Sequence, residues 1–449
     1  ANIIDHATGI AQSRHLAIND GWITEIYNEL PPPDLSEYMH LDYSNHYIYP
    51  GFNDTHMHLV GYGMYLSQLI LDGAESIVDL QERLHKYAQN HTKGIIIGRN
   101  WNQDSFSENR LPNRYDLDVI CPDMPVILFR VCGHIAVVNS AAINQFNLSP
   151  NSTISGGACD VEKGELTGIL RENALSFVKR ELTLDEVESY VLAAQQQLNG
   201  YGITSVQTDD LITVPIESHQ ELLNRFKEMS DSGKLSVRIY EQSQFFTPDN
   251  FRKIIKNGYK QNDGNLFYKN GPVKILADGS LGARTAKLRQ PYNDDPNASG
   301  ILIHTESELK ELMTIAYQNE IDIAIHGIGD YTIAFAIETM DALKKDYPTR
   351  AHRDAIVHCQ IMDESLMEAM KTSNIHALVQ PVFLEYDMTI VKQRVGHEMA
   401  RTSYAYKTML NKGIKLGFGS DAPVEDPNPL RSIMYAMYRE RLDGQSYFK

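Results

Sequence analysis

Tyr49-Pro-Gly-Phe-Asn-Asp-Thr-His56-Met-His58 reads as a short strand over Tyr49–Thr55 that ends in a His-x-His pair. Strand side chains alternate between the two faces, so residues two apart project to the same side and His56 and His58 can grip one ion. In a chain with 16 histidines such a pair also arises by chance. The remainder of the sequence has to decide between the two readings.

Seven further short apolar runs alternate with helical stretches: Ile203–Gln207, Val237–Glu241, Val273–Ala277, Ile321–Ile325, Ala355–His358, Ala377–Gln380 and Lys415–Phe418. Helices are expected between them, at Glu217–Met229, Glu306–Asn319, Tyr331–Lys345 and Glu364–Lys371. With Tyr49–Thr55 the strands come to eight, the pattern of parallel βαβ units. We therefore expect an α/β fold, a TIM-type (β/α)8 barrel; an open dinucleotide-binding sheet would want a Gly-rich turn after its first strand, and none is present. Residues 49–449 are assigned to the barrel. The stretch from about 59 to 200, with Ile95-Ile-Ile-Gly, Pro125-Val-Ile-Leu-Phe and the helix-like Leu184–Leu198, is read as a large insertion after the first barrel strand that covers the barrel mouth. Residues 1–48 carry short alternating segments around the Asn19-Asp-Gly turn, and Pro31-Pro-Pro is a stiff break, so a small β-sandwich module is expected there.

Three other strand ends add to the His-x-His pair. His326 closes Ile321-Asp-Ile-Ala-Ile-His, His358 closes Ala355-Ile-Val-His, and Asp421 follows Gly417-Phe-Gly-Ser. Barrel enzymes gather these ends on the face that carries the chemistry. A lone strand-end histidine reads as a hydrogen-bonded core imidazole; four histidines and an aspartate together read as a metal site. Lys274 in Val273-Lys-Ile-Leu-Ala points opposite to Val273 and Ile275, and an ammonium directed into a barrel is costly unless paired or neutralised. A surface lysine remains the bland alternative.

A formal charge of −17 argues against a broad phosphate-binding surface, so nucleic acid is not an expected partner and a small-molecule substrate is. No run reaches the ~18 consecutive apolar residues of a membrane span. The N-terminus lacks a basic, then apolar, secretory start, so a cytoplasmic protein is expected. Cys121, Cys132, Cys159 and Cys359 show no CxxC spacing and read as reduced structural thiols. A homodimer is held open.

In its motifs the sequence resembles the amidohydrolase superfamily, and within it the YtcJ-like, amidohydrolase-3 group that includes N-substituted formamide deformylases. The resemblance rests on Pro50-Gly-Phe-Asn-Asp-Thr-His-Met-His, Arg110-Leu-Pro-Asn-Arg, Gly133-His134 with Val138-Asn139-Ser, Gly168-Ile-Leu-Arg-Glu172, Ala277-Asp-Gly-Ser-Leu-Gly-Ala-Arg284, His326-Gly-Ile-Gly-Asp, His358-Cys-Gln360 and Gly419-Ser-Asp-Ala-Pro-Val. It implies two divalent ions, usually zinc, bridged by a carboxylated Lys274. His56, His58 and Asp421 would serve one ion, His326 and His358 the other. A hydroxide held by the metals would attack a carbonyl, with Asp421 as general acid and base, cleaving a C–N bond in an amide, N-formyl or cyclic amide. The chain runs only to Lys449 beyond Asp421, where the resemblance implies further helices and strands that rejoin the N-terminal module.

Trp101 and His134 in the insertion are candidates for the substrate pocket, with a core indole as the alternative for Trp101 and a place behind the residues that touch substrate as the alternative for His134. Arg284 is a candidate for holding a substrate carboxylate, with a salt bridge as its alternative. Asp330 is expected to cap the helix beginning at Tyr331. Two rival functions use the same residues: an esterase or phosphoesterase, and a non-catalytic scaffold that keeps the fold. A complete ligand set argues against the scaffold.

Overall fold

The computed structural model describes residues 1–4, 9–29, 38–91, 94–348 and 351–439. Pro31-Pro-Pro lies outside them. Eight strands form one all-parallel sheet in chain order: β1 Phe52–Met57, β2 Ile203–Thr208, β3 Arg238–Gln244, β4 Tyr268–Leu276, β5 Ile323–Gly327, β6 Ala355–His358, β7 His376–Val379 and β8 Leu416–Phe418. Helices follow most strands and pack outside the sheet, as the apolar periodicity requires. The ladder curls until β8 stands beside β1, a nearly closed barrel.

Observed strands depart from the sequence reading by up to five residues at their ends. β4 starts at Tyr268 rather than Val273 and β3 runs on to Gln244, because Glu241-Gln-Ser-Gln244 are buried polar residues that an apolar search passes over. Helix starts follow local chemistry: Thr183 with Glu186 and Thr305 with Glu308 form reciprocal capping boxes. Asp330 does not cap. The helix Asp330–Asp346 has Gly329 at its N-cap, and the Asp330 carboxylate accepts instead from the Arg289 backbone N–H at 3.0 Å.

Within the 59–200 stretch lies a separate six-stranded mixed sheet, spanning Leu69–Ile70 to Glu165–Glu172, with its own apolar clusters. The first 48 residues hold a three-stranded sheet and a hairpin, His15–Asn19 with Trp22–Tyr27, that turns through Asp20 and Gly21. No described helix is long and apolar enough to cross a membrane.

The helix Leu59–Leu66 leaves directly from β1 with His58 as its N-cap, and packs on the helix Leu184–Gly200. Gly63 makes that contact close: a Cβ there would stand 1.9 Å from the Tyr190 carbonyl oxygen, a backbone atom that cannot rotate away. Gly63→Ala should therefore force the two helices apart and lower stability by about 1–3 kcal/mol, as overpacking does. A urea midpoint equal to that of the unaltered protein would contradict this packing.

Candidate metal centre

His56, His58, Lys274, His326, His358 and Asp421 all sit at or near the carboxyl ends of barrel strands. The structure brings them together. His56 Nε2 lies 3.3 Å from Asp421 Oδ1 and 3.3 Å from Lys274 Nζ, while His58 Nε2 is 3.1 Å from the same Asp421 oxygen. One nitrogen or oxygen each of His56, His358 and Asp421 fall within 4.8 Å of one another. The rings of His326 and His358 meet edge to face with centroids 4.4 Å apart.

Each imidazole is held by its other nitrogen. His56 Nδ1 donates to Gln242 Oε1 at 2.7 Å, His58 Nδ1 to the Asp209 carbonyl at 2.7 Å, His326 Nδ1 to Asp278 Oδ1 at 2.8 Å, and His358 Nδ1 to Gln380 Oε1 at 2.7 Å. A carbonyl and a carboxylate can only accept, so His58 and His326 carry their proton on Nδ1. The two glutamines reach the same result through their amide nitrogens. Gln242 Nε2 donates to the Thr55 carbonyl and to Gln207 Oε1, and Gln380 Nε2 to the Leu378 carbonyl, which leaves each Oε1 as the acceptor. In the neutral rings the Nε2 lone pair is then free for a ligand bond, the arrangement found behind metal-binding histidines.

Asp278 also receives the backbone N–H groups of Lys287, Ile328 and Gly329, so the acceptor that aims His326 is itself fixed. At the seam between β8 and β1 the Asp54 carboxylate takes the N–H groups of His56 and Ser420. Burial raises Asp54 to about 7, against the pull of those hydrogen bonds.

The electrostatics favour a cation. Asp421 Oδ1 is buried, and among the described residues the polar atoms facing it are two imidazole nitrogens, at 3.1 and 3.3 Å. Acceptors converging without a proton repel. Burial opposes charge on both sides, but the hydrogen bond and charge of Asp421 still push His58 up to about 9, and His56 and His58 hold Asp421 well below the usual carboxylate range. Burial and the neighbouring His326 drive His358 well below an ordinary imidazole. A divalent ion placed among the three atoms would satisfy them together. Ligands ~2.0–2.2 Å from a tetrahedral ion stand roughly 3.3–3.6 Å apart, close to the separations present.

Lys274 is 3% exposed and pairs with the equally buried Asp209 at 3.3 Å. His358 and Asp421 hold positive φ values of 80° and 60°, and Cys359 one of 48°, a conformation non-glycine residues adopt at a cost and that clusters at functional sites.

Each of the three substrate candidates has partners of its own. Trp101 is fully buried in the insertion sheet, its indole N–H donating to the Leu128 carbonyl and its ring stacked on Phe106. His134 is exposed and paired with Glu172 at 2.8 Å. Arg284 makes a two-pronged salt bridge to Asp294, at 2.9 and 3.1 Å, the alternative noted for it. Asp209, Gln242, Asp278 and Gln380 were not singled out from the sequence. Asp278 stands inside a quoted motif, and Asp209 directly follows a barrel strand, so both left a signal.

A second group, Asp322, His352 and Asp354, sits at the opposite, amino-terminal ends of β5 and β6. Its carboxylates are occupied by Gln261, the Arg353 and Ile323 backbone N–H groups, Tyr317 and Lys344. Residues on that face serve stability.

Replacing Gln380 by Leu removes the acceptor behind His358 while leaving every candidate ligand intact. Loss of such a supporting hydrogen bond typically costs 10–100-fold in metal affinity. Chelator competition on the folded variant should read a weakening of that order; unchanged affinity would show that the glutamine does not orient a ligand.

The chain matches the Amidohydrolase family over residues 41–448. It is 31% identical over 414 residues to YtcJ of Bacillus subtilis (strain 168), named as an amidohydrolase, covering 89% of this chain and 75% of that protein. An N-substituted formamide deformylase of Arthrobacter pascens is 22% identical over 423 residues, covering 90% and 76%. The crystal structure of an uncharacterized metal-dependent hydrolase from Pyrococcus horikoshii superposes with a TM-score of 0.70 at 31% identity, covering 88% of this chain and 75% of that one. With this match over most of its length, the chain belongs to the amidohydrolase family.

Proposed function

We propose that the protein is a metal-dependent hydrolase that cleaves a C–N bond in an amide, N-formyl or cyclic amide substrate. The observation that carries the reading is the convergence of His56 Nε2, His58 Nε2 and the buried Asp421 Oδ1 at the carboxyl ends of the barrel strands. In this reading His56, His58 and Asp421 would hold one divalent ion, and His326 and His358 a second. Zinc suits the imidazole and carboxylate donors. Lys274 would join them as a carbamate, its amine adding carbon dioxide and releasing a proton, which would supply an anionic oxygen donor in place of an ammonium.

A bound divalent ion supplies Lewis acidity and lowers the pKa of water toward neutrality. The chain's own residues do the rest. Gln242, Gln380, Asp278 and the Asp209 carbonyl keep the imidazoles aimed, and the barrel wall excludes bulk water. Asp421 accepts the proton of the attacking water at its carboxylate and returns it to the leaving nitrogen, so that the acyl carbon gains oxygen and the amine leaves neutral. The similarity to a formamide deformylase supports the choice of bond.

Asp421→Asn keeps the size and one oxygen donor while removing the base. General acid–base assistance is worth about 10²–10⁴-fold. On an N-acyl or N-formyl substrate found by screening, turnover should fall at least a hundredfold with metal content largely kept. Near-normal turnover would refute the role given to Asp421. Loss of metal together with activity would make it a ligand rather than a proton carrier.

A further inference from the structure

The insertion sheet carries a site that the metal centre does not use. Its strands Leu69–Ile70, Ile96–Trp101 and Val126–Arg130 run parallel, and at the carboxyl ends of the last two lies a cavity of about 240 Å³ lined by Arg99, Asn100, Phe129, Arg130, Val131 and Gly133. The carboxyl ends of parallel strands are a common place for ligands in open α/β sheets. Here the register shifts between Arg99 and Trp101, with Asn100 at a φ of 71°. Such a bulge re-aims side chains. Trp101 turns into the core while Arg99, beside Phe129 across the strand pair, lines the cavity.

Arg99 is unusual among the half-buried arginines. Arg114 pairs with Glu165, Arg225 with Asp185 and Glu188, and Arg394 with Asp294. Within the cavity itself Arg130 is held by Gln103, Asn102 and Asp104. The Arg99 guanidinium has no hydrogen bond or carboxylate among the described residues, and its Nε is fully enclosed without a partner. Among the described residues Tyr65 is the one titratable group that acts on it. A partly desolvated guanidinium with no anion is a net cost to the fold, and a charged side chain in that state is stabilised by an oxyanion in its fork.

We propose that this cavity is a binding site for the carboxylate of a small organic acid, with Arg99 as the anion-binding residue and Phe129 and Val131 as the wall for a short apolar chain. Arg130, neutralised by Asp104, shapes the rim. The site contains none of the candidate metal ligands, so it stands whether or not the hydrolase reading holds. The volume admits a ligand of a few heavy atoms, and the apolar wall favours a carboxylate on a short chain over a phosphate.

The test is calorimetric titration of the full chain with sodium butyrate and, separately, inorganic phosphate, at constant ionic strength. Saturable butyrate binding is expected, weakened at least about tenfold in Arg99→Gln, since hydrogen bonds to charged groups carry differences of that size. Arg99→Lys, which retains the charge but loses the fork, should weaken binding as well and serves if the glutamine variant does not fold. Metal content should be the same in all three proteins. Absence of saturable butyrate binding to the unaltered protein, binding of phosphate alone, or undiminished butyrate binding in the folded variants would overturn the proposal.

Discussion

The seam where the eighth barrel strand meets the first is the constraint on which the site depends. Asp421 and the His56–His58 pair are separated by most of the chain, and only this seam brings them within 3.3 Å. Three features hold it. Asp54 accepts N–H groups from both sides of the seam, the Asp421 N–H donates to the His56 carbonyl at 2.8 Å, and the His58 N–H donates to the Ala422 carbonyl at 2.8 Å. Gly419 permits the approach, because a Cβ there would lie 2.6 Å from the His56 backbone nitrogen. Backbone hydrogen bonds of this kind place side chains more firmly than side-chain contacts do, since they leave no rotamer to adjust.

With the seam closed, the remaining physics concerns charge in a dry place. Four imidazoles, a lysine and two aspartates share a barrel mouth from which water is largely excluded, and each is costly there unless another group compensates it. Lys274 is compensated by Asp209, and His58 by Asp421. Asp421 Oδ1 nevertheless faces His56 Nε2, whose lone pair is turned toward it. A divalent ion between these atoms would balance their lone pairs. The glutamines, the Asp209 carbonyl and Asp278 fix ring orientation in advance, which lowers the reorganisation needed to take up an ion.

Much of this architecture was legible in the sequence because two periodicities were clean. Short apolar runs separated by helical stretches marked eight strands, and a histidine or aspartate at several of their ends marked the face that matters. The supporting residues were harder to see. Gln242 and Gln380 are single amides within or just past buried strands, and nothing in their local sequence separates a glutamine that aims a ligand from one that merely fills space. Asp209 and Asp278 act through a carbonyl and through a carboxylate clasped by distant backbone N–H groups, relations that exist only once strands are neighbours. Arg284 and Trp101 illustrate the reverse difficulty: a guanidinium after a Gly-rich loop and an indole beside polar residues each leave two readings open, and tertiary structure supplies one with a salt bridge to Asp294 and the other with a place in a core. Asp330 failed as a cap because Gly329 already supplied the extended N-cap backbone and the Arg289 N–H lay within reach of its carboxylate.

Metal content is the most direct measure of the central claim, that the strand-end histidines, Lys274 and Asp421 form a centre for divalent ions. Elemental analysis of protein purified without chelator and reconstituted with zinc should give close to two ions per chain. A stoichiometry near zero in folded protein would contradict the account, because the converging nitrogen and oxygen atoms would then have no cation to hold.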